Sequence, residues 1–146
     1  MWKSVGVIVV WLFAQAWPAV AEPAWSKVSP GGGGSFKCVD VAVNGKVLAG
    51  SDLSGAYLRT GTGDWIRLGR RDGIDATSVE CVKWKPGRAD TALVGTRNGL
   101  YLSTDSARTW SSVALDEDIA TAVAWKDDTV YVAGSSSASG SNLILR

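Results

Sequence analysis

GLYLSTDSARTW, Gly99 to Trp110, reads as a strand, a tight polar turn and the start of a second strand. Leu100, Tyr101 and Leu102 are apolar or aromatic strand formers. The short polar side chains of Ser103, Thr104, Asp105 and Ser106 bond back to their own backbone and favour turns. The segment is a predicted β-hairpin. An aspartate in such a turn accepts hydrogen bonds from N–H groups that the hairpin leaves unpaired, and a tryptophan on the returning strand wedges between neighbouring sheets. Asp105 and Trp110 therefore read first as residues that hold the fold, with ligand contact as the alternative.

Outward from that hairpin the chain repeats itself. FKCVDVAV (Phe36 to Val43), VECVKWKP (Val79 to Pro86) and IATAVAWK (Ile119 to Lys126) occupy equivalent places, and a second strand follows each: KVLAGSD, TALVGTR or TVYVAGS. A third strand comes next, in SGAYLRT, NGLYLST and SNLILR. A fourth, DWIRLG at Asp64 to Gly69 or TWSSVAL at Thr109 to Leu115, closes the first two units only. Asn44-Gly45, Pro86-Gly87 and Asn98-Gly99 supply turn chemistry between strands. Four short strands per roughly forty residues is the period of a β-propeller blade. The expected class is all-β: four-stranded antiparallel blades over residues 35–70, 78–115 and 119–146, about two and a half blades in all. A sandwich of short strands is the competing reading. Since propellers close with four to eight blades, the chain reads as an unclosed arc from a longer protein, with a sheet face and an edge strand open to solvent.

Composition narrows the function classes. The chain has 146 residues, two cysteines, no histidine and a formal net charge of +1. That balance gives no basic field for a phosphate backbone, so nucleic acid is not an expected partner. Without histidine there is no Ser-His-Asp triad and no His-ligated metal, and two cysteines alone do not make a zinc site; no metal or cofactor is expected. Catalysis would rest on carboxylates, tyrosines or arginines. Residues 1–21 read as a signal peptide: Lys3 is the charged start, Val5 to Trp17 the apolar stretch and Ala19-Val20-Ala21 the small residues before cleavage. A secreted or periplasmic protein is expected, with no membrane partner once the signal is removed; a retained anchor is the alternative. Residues 22–34 read as an N-terminal strand, with Trp25 and Val28 alternating with polar residues, followed by a glycine run. Gly31 to Gly34 suits a flexible linker, a close-approach loop or a phosphate cradle, although no Lys-Ser/Thr follows as a P-loop requires. Cys38 and Cys81 stand at equivalent positions of successive units, and an exported protein leaves a disulfide between them open.

Two segments resemble known families. Ser103, Asp105, Thr109 and Trp110 have the spacing of the Asp-box, S-x-D-x-G-x-T-W, and the hairpin resembles those in the blades of sialidases, sortilin-type receptors and many secreted glycoside hydrolases; Ala107 stands where that motif prefers glycine. Trp25 to Arg59 resembles the opening of family 74 glycoside hydrolases, xyloglucanases and related endo-β-1,4-glucanases. These begin with an aromatic strand, a GGGG loop, a strand and a T-D-[IV]-G-G-A-Y-R-W segment, which here reads Ser51-Asp52-Leu53-Ser54-Gly55-Ala56-Tyr57-Leu58-Arg59. The resemblance implies two facing seven-bladed propellers in the whole enzyme, inverting hydrolysis of a polysaccharide or other glycan, and Asp52 as general base. The acid carboxylate it implies belongs to a second propeller, so this chain alone is expected to be inactive. From the residues themselves, Asp52 either caps a turn or projects into a cleft. Tyr57 is the candidate to stack on a sugar, and Trp65, Trp84 and Trp125 share that possibility, each with the core as its alternative. Two other functions remain open: a noncatalytic Asp-box propeller that binds a protein partner, and a sialidase.

Overall fold

The structure, a computed structural model, describes residues 25–146. The predicted signal peptide lies outside the described residues. The first sheet contains β1 (Phe36–Val41), β2 (Val47–Ser51), β3 (Gly55–Arg59) and β4 (Trp65–Leu68). A 3-10 turn, Arg70–Asp72, leads to the second: β5 (Val79–Trp84), β6 (Ala92–Thr96), β7 (Gly99–Ser103) and β8 (Ser111–Ala114). The third has β9 (Ile119–Lys126), β10 (Thr129–Ser135) and β11 (Asn142–Leu145). Each sheet is a simple antiparallel meander in chain order. The fold is all-β, with the four-stranded antiparallel sheets expected of partial propeller blades.

The first strands stand side by side, β1 against β5 and β5 against β9. Each carries a bulge near its start, at Lys37, Glu80 and Thr121, where the pairing skips one residue. Such an insertion sharpens the local twist and turns the extra side chain away from the ladder.

Alternation along the strands assigns the faces. Leu48, Ala56, Leu58 and Leu68 of the first sheet meet Val82, Trp84, Val94 and Tyr101 of the second, with Ile74 and Trp110 wedged among them. Leu93 and Leu100, on the other face of the second sheet, meet Ala120 and Val132 of the third. The central sheet is thus covered on both sides, and every residue of β6 is buried. That explains why ALVGT reads as a continuous apolar run, whereas β1 and β9 alternate between sheltered and exposed positions. Charged pairs join the layers: Asp40 accepts the Trp84 N–H at 2.7 Å and faces Lys83 at 3.3 Å, and Lys85 pairs with Asp128.

Three expectations need adjustment. Of the strand expected within residues 22–34, residues 25–34 are in no strand and residues 22–24 lie outside the described residues; Trp25 is 97% exposed, and among the described residues no strand pairs with this segment. The returning strand of the Gly99–Trp110 hairpin starts at Ser111, so Trp110 precedes β8 rather than lying on it, and its N–H donates to Asp72 O at 2.8 Å. Both cysteines are free. Cys38 packs into the core between the first and second sheets, and the Cys81 thiol points on toward Ala120 O of the third, at 3.8 Å. Equivalent side chains point the same way round the arc, so the two thiols do not face each other. Burial pushes them up to about 11 at Cys38 and about 12 at Cys81, which keeps both as thiols. Among the described residues, no helix is long and apolar enough to cross a membrane.

Candidate functional site

The β2–β3 turn and the glycine run meet at one end of the first sheet. Ser51, fully buried at the end of β2, accepts the N–H groups of Leu53 and Ser54, both at 3.3 Å, and so closes the turn that carries Asp52. The Gly33 carbonyl accepts the Ser54 hydroxyl at 2.8 Å and lies 3.1 Å from the Ser51 hydroxyl. Asp52 donates its own N–H to Ser35 O at 3.0 Å and accepts the Ser35 N–H on Oδ1 at 2.7 Å. A Cβ at Gly34, whose φ is +87°, would collide with Asp52 Oδ1, and one at Gly32 would collide with the Tyr57 hydroxyl. Of the three readings of the glycine run, the close-approach loop is the one the contacts support. Only glycine lets this backbone lie directly on the turn.

Asp52 is half-buried, with Oδ1 engaged by Ser35; among the described residues no hydrogen bond reaches Oδ2. The carboxylate therefore caps the loop with one oxygen and leaves the other for a water molecule or hydroxyl. Tyr57 does not share that opening. Its side chain is 3% exposed, covered by Gly32, and its ring meets Phe36 edge-on with centroids 5.4 Å apart. It has no face free for stacking on a sugar. Trp84 is buried as well, and Trp65 and Trp125 are half-buried.

A cluster that sequence reasoning missed lies at the equivalent end of the second sheet. Glu80, at the bulge of β5, receives Lys37 from the bulge of β1 at 2.8 and 3.0 Å, Arg97 at 2.9 Å and Ser78 at 3.0 Å. Arg97 follows β6 where Asp52 follows β2, so successive turns present opposite charges at the same end of the sheets. Burial pushes the Glu80 carboxyl up, but the hydrogen bonds from Lys37, Arg97 and Ser78 outweigh it and hold the group at about 2. Glu80 is thus ionised at neutral pH and cannot act as a general acid there. The sequence does carry a signal for this cluster: Lys37 and Glu80 are opposite charges at the same place in successive repeats.

Asp105 is fully engaged within its own hairpin. Oδ1 accepts the Ser103 hydroxyl at 2.8 Å and the N–H groups of Arg108 and Thr109 at 3.0 and 2.9 Å, while Oδ2 accepts the Thr109 hydroxyl at 2.6 Å. Those bonds, Thr109's foremost, hold its carboxyl well below the usual range. Ser106 and Ala107 both adopt left-handed backbone, with φ of 70° and 66°. That geometry is the physical reason for a glycine preference at position 107.

No family model matches the chain, and no curated protein does. Among solved structures it is similar to a crystal structure of an ancestral GH74 enzyme, with 26% identity and a TM-score of 0.62 over 79% of this chain. The match covers 15% of that enzyme's own chain. Together with the three meandering sheets, this similarity supports a GH74-like β-propeller fold for the chain.

Proposed function

We propose that the chain is a blade-bearing portion of an exported, carbohydrate-directed hydrolase in which Asp52 serves as the general base of an inverting reaction on a β-glucan such as xyloglucan. The observation that carries this reading is the state of Asp52. Ser35 and the glycine loop fix its orientation, and Oδ2 remains open to accept a proton from water. Inverting hydrolysis needs a second, protonated carboxyl group about 6.5–9.5 Å away. Glu80 and Asp105 are committed as ionised hydrogen-bond acceptors, which disqualifies both as that acid. This chain is therefore expected to bind glycan without turning it over.

Affinity electrophoresis in gels containing xyloglucan or mixed-linkage β-glucan tests the reading, alongside reducing-sugar assays. Retarded migration with background hydrolysis is expected. Unretarded migration in both gels would remove the carbohydrate assignment, and robust turnover by this chain would remove the need for an acid from elsewhere. N-terminal sequencing of the exported protein should begin at Glu22.

A further inference from the structure

The turn after β6 is built like the turn after β2. Thr96 Oγ1 accepts the Asn98 N–H at 2.9 Å, as the Ser51 hydroxyl accepts that of Leu53. Arg97 donates its own N–H to Ser78 O at 3.3 Å, as Asp52 does to Ser35 O. Ser35 and Ser78 immediately precede β1 and β5, which lie side by side. Arg97 therefore stands where Asp52 stands, one sheet further along, about 10 Å away by the usual spacing of packed sheets. Residues 75–78 bridge the two turns. Thr77 O accepts the Gly55 N–H at 2.8 Å on one side, and Asp75 O accepts the Asn98 side-chain amide at 3.1 Å on the other. This end of the sheets thus offers one continuous surface from Asp52 to Arg97. Leu53, 67% exposed in the Asp52 turn, adds an apolar contact to it.

Arg97 is held, yet only part of it is used. Its Nε–H donates to Glu80 at 2.9 Å, while among the described residues no hydrogen bond reaches Nη1 or Nη2. The arginine side chain is 63% exposed and that of Glu80 15%. The guanidinium is therefore anchored at its inner edge and presents its outer edge to solvent. An arginine that served only to neutralise Glu80 would lay paired donors on both carboxylate oxygens. Lys37 takes that position instead, at 2.8 and 3.0 Å.

We propose that Arg97 is a glycan-binding residue whose Nη groups donate to adjacent hydroxyl oxygens of a sugar unit neighbouring the one that lies against Asp52. The proposal rests on the reading of Asp52 as the base of a glycan hydrolase and extends that site along the chain of the polysaccharide. Two donors on one rigid plane match a pair of neighbouring hydroxyl oxygens, which a flexible ammonium does not. The anchor on Glu80 also removes much of the side-chain freedom that an untethered arginine would lose on binding. Leu53 offers the apolar C–H face of a sugar a surface between the two polar contacts.

Migration in xyloglucan and mixed-linkage β-glucan gels, taken relative to gels without polysaccharide, compares the wild type with Arg97→Gln, Arg97→Lys and Arg88→Gln. Arg88 is the control, an exposed arginine paired with Asp90 at the opposite end of the second sheet. Its replacement makes the same charge change as Arg97→Gln, away from the proposed surface. Arg97→Gln should weaken binding by about tenfold or more. Arg97→Lys, which keeps the charge beside Glu80 but lacks the planar fork, should fall nearly as far. Both should melt close to the wild-type temperature, and Arg88→Gln should bind as the wild type does. Wild-type affinity in either Arg97 variant overturns the proposal and leaves the carbohydrate assignment standing. Equal losses in Arg97→Gln and Arg88→Gln overturn it as well, because they trace the effect to net charge. Unretarded wild type in both gels removes the carbohydrate assignment itself, and this contact with it.

Discussion

Val39 and Val82 hold the same place in successive sheets, yet Val39 is 65% exposed and Val82 6%. At the other end of the arc, Ile144 is 82% exposed where its repeat counterpart Leu100 is 3%. The residue types are alike and the strands are paired alike; only the presence of an adjoining sheet differs. Apolar alternation along a strand therefore specifies that a face is made to be covered, and the neighbouring layer determines whether it is.

The three repeat tryptophans put that contrast to a direct test. Trp110→Ala should destabilise the chain by about 3–5 kcal/mol, because it opens a cavity between two packed sheets. Trp65→Ala, half-buried on the open face, should cost about 1–2 kcal/mol, and Trp25→Ala less than about 0.5 kcal/mol in the single chain. Urea melts at low protein concentration read all three. Equal losses at positions 110 and 25 would mean that the interior of the arc is no better packed than its ends.

Acid should act first on the seam between the first and second sheets. Glu80 has its carboxyl lowered from 4.5 to about 2, so its contribution is fully present above 4.5 and is lost as pH falls through about 2. Denaturation midpoints should drop across that window, and Glu80→Gln should flatten the part of the slope that Glu80 supplies. An unchanged slope in Glu80→Gln would assign acid sensitivity to other carboxylates. Asp105 contributes a loss of the same sign, beginning as pH falls through the ordinary carboxylate range and continuing below it.

The hairpin loop should show effects of the same modest size as Trp65→Ala. Asp105→Ala should cost about 1–2 kcal/mol by leaving the Arg108 and Thr109 N–H groups without their acceptor. Ala107→Gly relieves left-handed strain of about 1–2 kcal/mol but removes a buried methyl worth about 0.8 kcal/mol, so the net change should stay within about 1 kcal/mol. Calorimetric melting temperatures separate the two variants. A large loss in Ala107→Gly would show that the methyl, rather than the backbone, governs this position.

The repeat and the hairpin were legible because their signals are local: turn residues at fixed offsets and strand formers between them. Features that depend on contacts between distant segments were not. The glycine run had three readings until Tyr57 and Asp52 were seen beneath it, and the disulfide stayed open until Cys38 and Cys81 were found to point the same way round the arc. Trp25 and Val28 have a strand's alternation, but a strand is a relation between segments, and among the described residues none pairs with this one. The Lys37–Glu80 pair was visible in principle as opposite charges in register. Recognising it required knowing that β1 lies against β5.

The two-sided burial of β6 also sets a hierarchy of lifetimes. Backbone amides in Ala92–Thr96 are paired on both sides and covered above and below, so they meet water only when both flanking layers have separated from the central sheet. Along β11, whose outer edge has no partner among the described residues, amides meet water through fraying of a single strand. Opening free energies should therefore rise from the two ends of the arc toward its middle, and the chain loosens in time from the outside inward.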